Sequence, residues 1–438
     1  MTTGRMDAGA ARDAAARSFL GWRMVGVAFV AQAVSSTITV SVAGNFVGPI
    51  GAAFDVPPTT IGIGPGLAIL AMGILGPFVG RALDARQTRP LMTAGAVLAG
   101  IGLLAMSRAE TLSQLVLAYL ALVAPGAALC GALPSMALMA SWFERRRGFA
   151  IGLAVSGATI VSWVGPASVQ WIIDHQGWRE ATVALGLVTL LLSAPIFALF
   201  TIASPEMVGQ RPDGDEPPRE REALAGARTA ADPGADEAPT EVVLETGELV
   251  RDVRLWLAAV GFGLVFTSPI VLVVLLIEFG KSLGFSGQDA TVFFAAMVPF
   301  SIAGKIFLGR LADVAPLRPT LLMIIVVNLL VWGILCLEPG YALFVATGAL
   351  YGVGIGGAAP VQGVLMGRLF GRVNFGRASG LGGLAAIPLL SLANIGSQTL
   401  LGATGSYRLT FVLQMVLLSI GGLMLGAIKI PDSANPVS

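Results

Sequence analysis

An all-α membrane protein, with twelve transmembrane helices in two pseudo-symmetric six-helix bundles, is the architecture this sequence predicts. Three observations carry it. Of 438 residues, 55% are hydrophobic and only 12% are charged, and the mean hydropathy is +0.81. A soluble domain is about a quarter charged, so this chain cannot solvate its surface in water and takes the bilayer as its solvent. Apolar runs long enough to cross hydrocarbon, about twenty residues at 1.5 Å rise each, recur twelve times. Finally, short motifs of the first six runs reappear at matching places in the last six.

The expected spans are 23–50, 59–82, 91–107, 112–141, 148–173 and 179–202, then 254–280, 288–311, 318–336, 340–367, 377–402 and 408–429. The 56 glycines suit them, because small residues let helices approach closely where lipid offers no hydrophobic drive to association. Between the sixth and seventh spans the composition changes. Residues 204–252 hold Pro-, Gly- and acid-rich stretches around Pro212 and Pro233, too polar for a core and expected to be a disordered linker. The chain therefore reads as a tail (1–22), a first bundle (23–203), the linker (204–252), a second bundle (253–430) and a closing tail (431–438).

Cations set the orientation. Arg81, Arg86 and Arg89 share one turn, Arg145 to Arg147 another, followed by Arg310 with Arg318 and by Arg368, Arg372 and Arg377. All fall on the side of the termini, while the opposite turns carry only Arg108, Arg179, Lys281 and Arg408. The positive-inside rule then predicts a multi-pass inner-membrane protein of bacterial type, with both termini and the linker cytoplasmic. No cleavable signal is expected in the Ala- and Arg-rich start. A net charge of +1 gives no reason to expect a nucleic-acid partner. Cys130 and Cys336 sit in apolar runs, and His175 is the one histidine, in a polar break. Neither disulfide nor metal site is expected, nor any cofactor. The partners expected are the bilayer and a small solute, with the carrier monomeric. His-Glu-x-x-His, a Gly-x-Ser-x-Gly elbow and paired interior carboxylates are all missing from the sequence, so an enzyme is not expected.

The internal repeat is specific. Gly80-Arg81-Ala82-Leu83-Asp84 closes the second span, and Gly309-Arg310-Leu311-Ala312-Asp313 closes the eighth. Leu138-Met139 with Phe143 is echoed by Leu365-Met366 with Phe370. Two copies of a six-helix unit characterise one class of secondary transporter. The Gly-Arg-x-x-Asp turns resemble the signature loop between helices two and three of the major facilitator superfamily. That resemblance implies a charged latch holding the cytoplasmic ends of the halves together, here Gly80, Arg81 and Asp84 with Gly309, Arg310 and Asp313, joined by Arg145 and Arg146.

A finer resemblance covers most of the chain. Gly21-Trp22-Arg23, the run from Trp142 through Phe143, Arg145-Arg146 and Ala150-Ile151-Gly152-Leu153-Ala154, Gly165-Pro166, Gly177-Trp178-Arg179 and Leu283-Gly284-Phe285-Ser286 are similar to monocarboxylate-transporter-like carriers, with the oxalate–formate exchangers nearby. The resemblance implies a small organic acid anion as cargo, moved with a proton or exchanged for another anion. This chain departs from it at Ser41 and Ser301, where animal members place a lysine and an aspartate. Its eleventh span also carries no charge between Arg377 and Arg408.

Lys305 is the leading candidate for binding. It lies more than a turn inside the membrane from Arg310, and a buried ammonium is costly enough that such residues usually face a cavity. The resemblance also places it where relatives hold a carboxylate with arginine. The competing reading is a lysine snorkelling to the headgroups. With no second interior cation, one carboxylate is matched better than two, so a monocarboxylate is favoured. Gln32, Ser41 and Asn45 in the first span, Tyr351 in the tenth, and Ser391 and Asn394 in the eleventh are candidates to complete the pocket, or else hydrogen bonds between helices. Glu278 is a candidate proton site, or an interfacial partner of Lys281. A drug or metabolite exporter of the same fold is the alternative function. Gly157 with Gly165-Pro166 resembles part of the antiporter motif of drug exporters, without its trailing glycines.

Overall fold

The computed structural model describes residues 19–214 and 243–430. These residues contain no strand, and twelve of their helices are long and apolar enough to cross a membrane. In chain order they are α1 (Gly21–Ser41), α2 (Thr60–Asp84), α3 (Thr88–Ser107), α4 (Leu112–Trp142), α5 (Arg147–Gln176), α6 (Trp178–Phe200), α7 (Val253–Ser282), α8 (Gly287–Val314), α9 (Leu317–Cys336), α10 (Tyr341–Phe370), α11 (Phe375–Thr404) and α12 (Tyr407–Ala427). The expected fold class is the observed one. Beyond a break at Val42, α1 continues as the helix Ala43–Phe54.

Three helices widen into π-turns, and two of these have a local cause. The turns Tyr119–Val123 in α4 and Thr189–Ser193 in α6 are each followed within two residues by a proline, Pro125 and Pro195. Proline donates no backbone bond and its ring crowds the carbonyl four residues back, so the preceding turn opens. The third π-turn, Thr37–Ser41, ends at the break in α1.

The packing repeats itself between the halves. In the first bundle α1 packs on α5 and α3 on α6; in the second, α7 packs on α11 and α9 on α12. The bundles meet along α2 against α11 and α8 against α5. Glycines make those contacts possible. A Cβ at Gly76 or Gly80 would run into the backbone of Gly380 or Gly376, and one at Gly148 or Gly152 into that of Gly309 or Lys305. These close approaches lie near the face that carries the chain ends, called here the terminal face. Toward the opposite face, a Cβ built at Gly44, Gly48, Gly396 or Gly402 meets nothing within 4 Å.

Segment 204–252 is ordered at both of its ends, and residues 215–242 lie outside the described residues. Short 3₁₀ turns run over Pro205–Val208 and Pro212–Gly214. Asp213 caps the backbone N–H groups of Glu144 and Arg145 at 3.0 and 2.8 Å. The helix Thr246–Arg251 anchors Leu249, which is fully buried.

Candidate functional site

Lys305 sits on α8 where that helix crosses α5. The crossing is close because Gly152 lies against the Lys305 backbone and Gly148 against Gly309. The ammonium donates to Thr159 Oγ1 on α5, and to Ser301 Oγ, one turn back on α8, at 3.4 Å. Ser301 lies farther from the terminal face than Lys305 does. Side chains of a helix lean toward its N-terminus, so the lysine extends toward the membrane centre and away from Arg310. Among the described residues no acidic group pairs with it.

A file of hydroxyls continues from this point. Ser162, three residues beyond Thr159 on the same face of α5, donates to the Ala158 carbonyl at 2.8 Å. Its oxygen is 2.7 Å from Ser41 Oγ, which is 2.7 Å from Ser36 Oγ. With Ser162's proton committed, Ser41 donates to Ser162 and Ser36 to Ser41. Farther from the terminal face, Asn45 Nδ2 donates to Gln170 Oε1 at 2.7 Å and to the Pro166 carbonyl at 3.1 Å, and Gln170 donates to Asp174 at 2.7 Å. Ser41 and Asn45 thus lie on the α1–α5 seam that leads to Lys305.

The other candidates are placed elsewhere. Gln32 is buried inside the first bundle and donates to Ser135 at 2.9 Å. Tyr351, 1% exposed, shares a hydrogen bond with Ser268, which accepts from Trp332 inside the second bundle. Ser391 is exposed on α11, one turn before Asn394, which accepts weakly from Gln398 at 3.3 Å. Glu278 forms an ion pair with Lys281 at 2.7 Å, with 62% of its side chain exposed. The structure therefore does not gather Gln32, Tyr351 and Glu278 around Lys305.

At the terminal face two carboxylates tie the bundles together by the same geometry. Asp84, the last residue of α2, accepts from the N–H groups of Gly376 and Arg377 at the start of α11, at 2.8 and 3.1 Å, and pairs with the Arg377 guanidinium at 2.7 Å. Asp313, near the end of α8, accepts from the N–H groups of Gly148 and Phe149 at the start of α5, at 2.7 and 2.9 Å. Each anion meets the unsatisfied donors and positive dipole end of a helix in the other bundle. Arg81, Arg146 and Arg310 point outward, exposed, and Arg145 lies 4.0 Å from Asp213.

Arg377 and the paired helix starts are partners that the sequence reading did not assign. Their signal was present: Gly148-Phe149-Ala150-Ile151-Gly152-Leu153 and Gly376-Arg377-Ala378-Ser379-Gly380-Leu381 are in register. Thr159 and the tie from Arg372 to Glu206 (2.8 Å) and Glu144 (3.5 Å) left no comparable trace. Glu206 is partly buried, which opposes ionisation, but its hydrogen bonding, including the bond from Arg372, outweighs this and holds its carboxyl below the usual range.

Two cavities accompany these features. One, of about 70 Å³, lies beneath the terminal face beside Asp84, Ser141, Glu206 and Arg372. The other, of about 130 Å³, is within the first bundle, walled by apolar residues of α1 to α4 and α6. The hydroxyls of Thr37, Thr182 and Tyr119 on its wall donate to backbone carbonyls. That wall offers no charge, whereas the Lys305 crossing does.

Comparison with known proteins agrees with this architecture. Residues 24–386 match the family model of the Major Facilitator Superfamily. The chain is 26% identical to monocarboxylate transporter 13 of Bos taurus, over 92% of this chain and 87% of that one. It is 27% identical to monocarboxylate transporter 12 of Rattus norvegicus, over 77% and 70%. It is also 27% identical to the MFS-type transporter pynF of Aspergillus niger, over 69% and 63%. Among solved structures, the proton:xylose symporter XylE superposes with a TM-score of 0.68 at 13% identity, over 93% of this chain and 95% of that one.

Proposed function

The chain belongs to the Major Facilitator Superfamily, and on that footing we propose that it carries a small monocarboxylate across a bacterial-type inner membrane by alternating access. The observation that carries the proposal is Lys305. It is a single ammonium at the seam between the bundles, reaching toward the membrane centre, with only the hydroxyls of Thr159 and Ser301 as acceptors among the described residues. A cation in low dielectric calls for an anion, and one cation neutralises one carboxylate. The similarity to two monocarboxylate transporters supports the same cargo class.

The proposed path to the site follows Ser41, Ser162 and Asn45 along the α1–α5 seam. The cation-rich turns support a cytoplasmic terminal face; on that reading the protein is closed toward the cytoplasm, with Asp84 and Asp313 holding that gate shut. Coupling by proton symport or anion exchange fits this arrangement. A 31% identity to the Fujikurins efflux protein of Gibberella fujikuroi, over 32% of this chain and 29% of that one, keeps export of a metabolite as the second reading.

The test is counterflow in proteoliposomes loaded with a panel of monocarboxylates. Losing one member of a buried charge pair costs about 3–5 kcal/mol, at least a hundredfold in affinity. Lys305→Met is expected to lose binding on that scale while still inserting, and Lys305→Arg to retain it. Wild-type affinity in Lys305→Met would remove the carboxylate reading and leave export in front.

A further inference from the structure

The acceptors of Lys305 come from different bundles, and this gives the site a second task. Ser301 belongs to its own helix; Thr159 belongs to α5 of the other half. The contact follows from the crossing itself. Gly148 and Gly152 bring α5 against the backbone of α8, and Thr159 follows Gly152 by seven residues, on the same face of the helix. Unlike Asp84 and Asp313, which tie the bundles at the terminal face, Thr159 ties them through the very group that the cargo would engage.

A carboxylate is a stronger acceptor for an ammonium than a hydroxyl, charge-assisted bonds being roughly twice as strong as neutral ones. We propose that Thr159 is the resting acceptor of Lys305, and that an arriving carboxylate takes the ammonium from it and so releases the mid-membrane tie between α5 and α8. Thr159 is thus a positioning residue that couples occupancy to opening at the terminal face. Cargo can shift a conformational equilibrium only through a differential interaction with the two states. The exchange supplies one, since the Lys305–Thr159 bond belongs to the unloaded, closed arrangement. This inference rests on Lys305 as the carboxylate site.

The test uses the full chain in proteoliposomes, with Cys336→Ser to clear the background and Ser379→Cys to place a reporter thiol. Among the described residues, Ser379 Oγ is buried without a hydrogen-bond partner near the α2–α11 contact. Acetate, lactate and benzoate are the probes, and Thr159→Val the variant that keeps shape and removes the hydroxyl, with Thr159→Ala beside it. Without any acid, alkylation of the reporter thiol is expected to rise toward the level the parent reaches with saturating acid. The half-saturating acid concentration is expected to fall about tenfold, a hydrogen bond to a charged group being of that order. Thr159→Ser, which restores the acceptor, should behave as the parent.

Acid-free labelling that is unchanged in Thr159→Val and Thr159→Ala overturns the exchange, as does weaker acid binding in these variants. Lys305→Met separates the two claims. If it loses acid binding while Thr159→Val stays at the parent level, the carboxylate site stands and the exchange falls. If it binds acids as the parent does, the carboxylate site falls and takes the exchange with it.

Discussion

Replacing Asp84 by asparagine should open the terminal face. The Asp84 and Arg377 side chains are only 8% and 14% exposed, so their attraction is weakly screened. The carboxylate also holds two N–H groups at the start of α11. Asparagine keeps one acceptor oxygen but removes the charge and turns an NH₂ toward the same donors. Breaking a buried pair costs about 3–5 kcal/mol, and the retained acceptor argues for the lower end. A shift of about 3 kcal/mol changes a two-state ratio roughly 150-fold, comparable with conformational preferences of a few kcal/mol and so enough to move the balance measurably. Asp313 holds the companion contact, so the single variant should lie between the parent and Asp84→Asn with Asp313→Asn. Alkylation of Ser379→Cys from the terminal side reads the opening. Arg81→Gln, removing an exposed group with no ion pair among the described residues, should change the rate far less. An Asp84→Asn rate within twofold of the parent, or an equal effect from Arg81→Gln, would refute the assignment of the latch to the Asp84–α11 contact.

Gly80→Val should have the same sense as Asp84→Asn by a different route. Its side chain would meet the Gly376 carbonyl, so closure is obstructed and the Ser379→Cys reporter should label faster without loss of membrane insertion. The Arg372–Glu206 tie should not act as a proton switch near neutrality. A carboxyl held below its ordinary value of 4.5 contributes fully above that value and loses its contribution only as pH falls through the depressed one. Because the thiolate is the reacting form and its fraction rises with pH in both proteins, the readout is the ratio of labelling rates of Glu206→Gln and the parent, which should be constant from about pH 5.5 to 7.5; a steep change of that ratio in the window would count against it. Deletion of residues 218–240, which lie outside the described residues, should leave counterflow near the parental rate, since their polar composition supports no packed core. Loss of counterflow with normal insertion would show that this segment is required.

The sequence displayed the architecture because the bilayer imposes a coarse rule on every helix at once. Twelve apolar runs and a twice-written Gly-Arg-x-x-Asp turn survive single-residue ambiguity. The partners across the seam were harder to read. Asp84 and Arg377 are 293 residues apart, and nothing local to either tells a charge that ends a helix from one that locks a neighbour. Small hydroxyls are harder still. Ser156 and Thr182 donate to carbonyls of their own helices at 2.7 Å, whereas Thr159, of the same chemistry and on the same helix as Ser156, accepts from Lys305. Only the crossing of α8 decides which fate applies. Gln32 and Tyr351 show the converse. Both read as pocket candidates because polar groups are scarce in apolar spans, and both are used up in hydrogen bonds within a bundle.

Lys305 could be read at all because an ammonium, unlike a hydroxyl, cannot satisfy itself on its own helix backbone at low cost in lipid. What the sequence could not supply was the direction of its side chain. The bond to Ser301 supplies it, one turn back along α8 and away from Arg310. A snorkelling lysine reaches for the nearest headgroups, and here those lie on the Arg310 side. The ammonium instead meets Thr159 of the opposite bundle, and the cost of desolvating it is borne where the two halves touch. On the function proposed above, that placement is what would let one residue both bind an anion and sense that it has arrived.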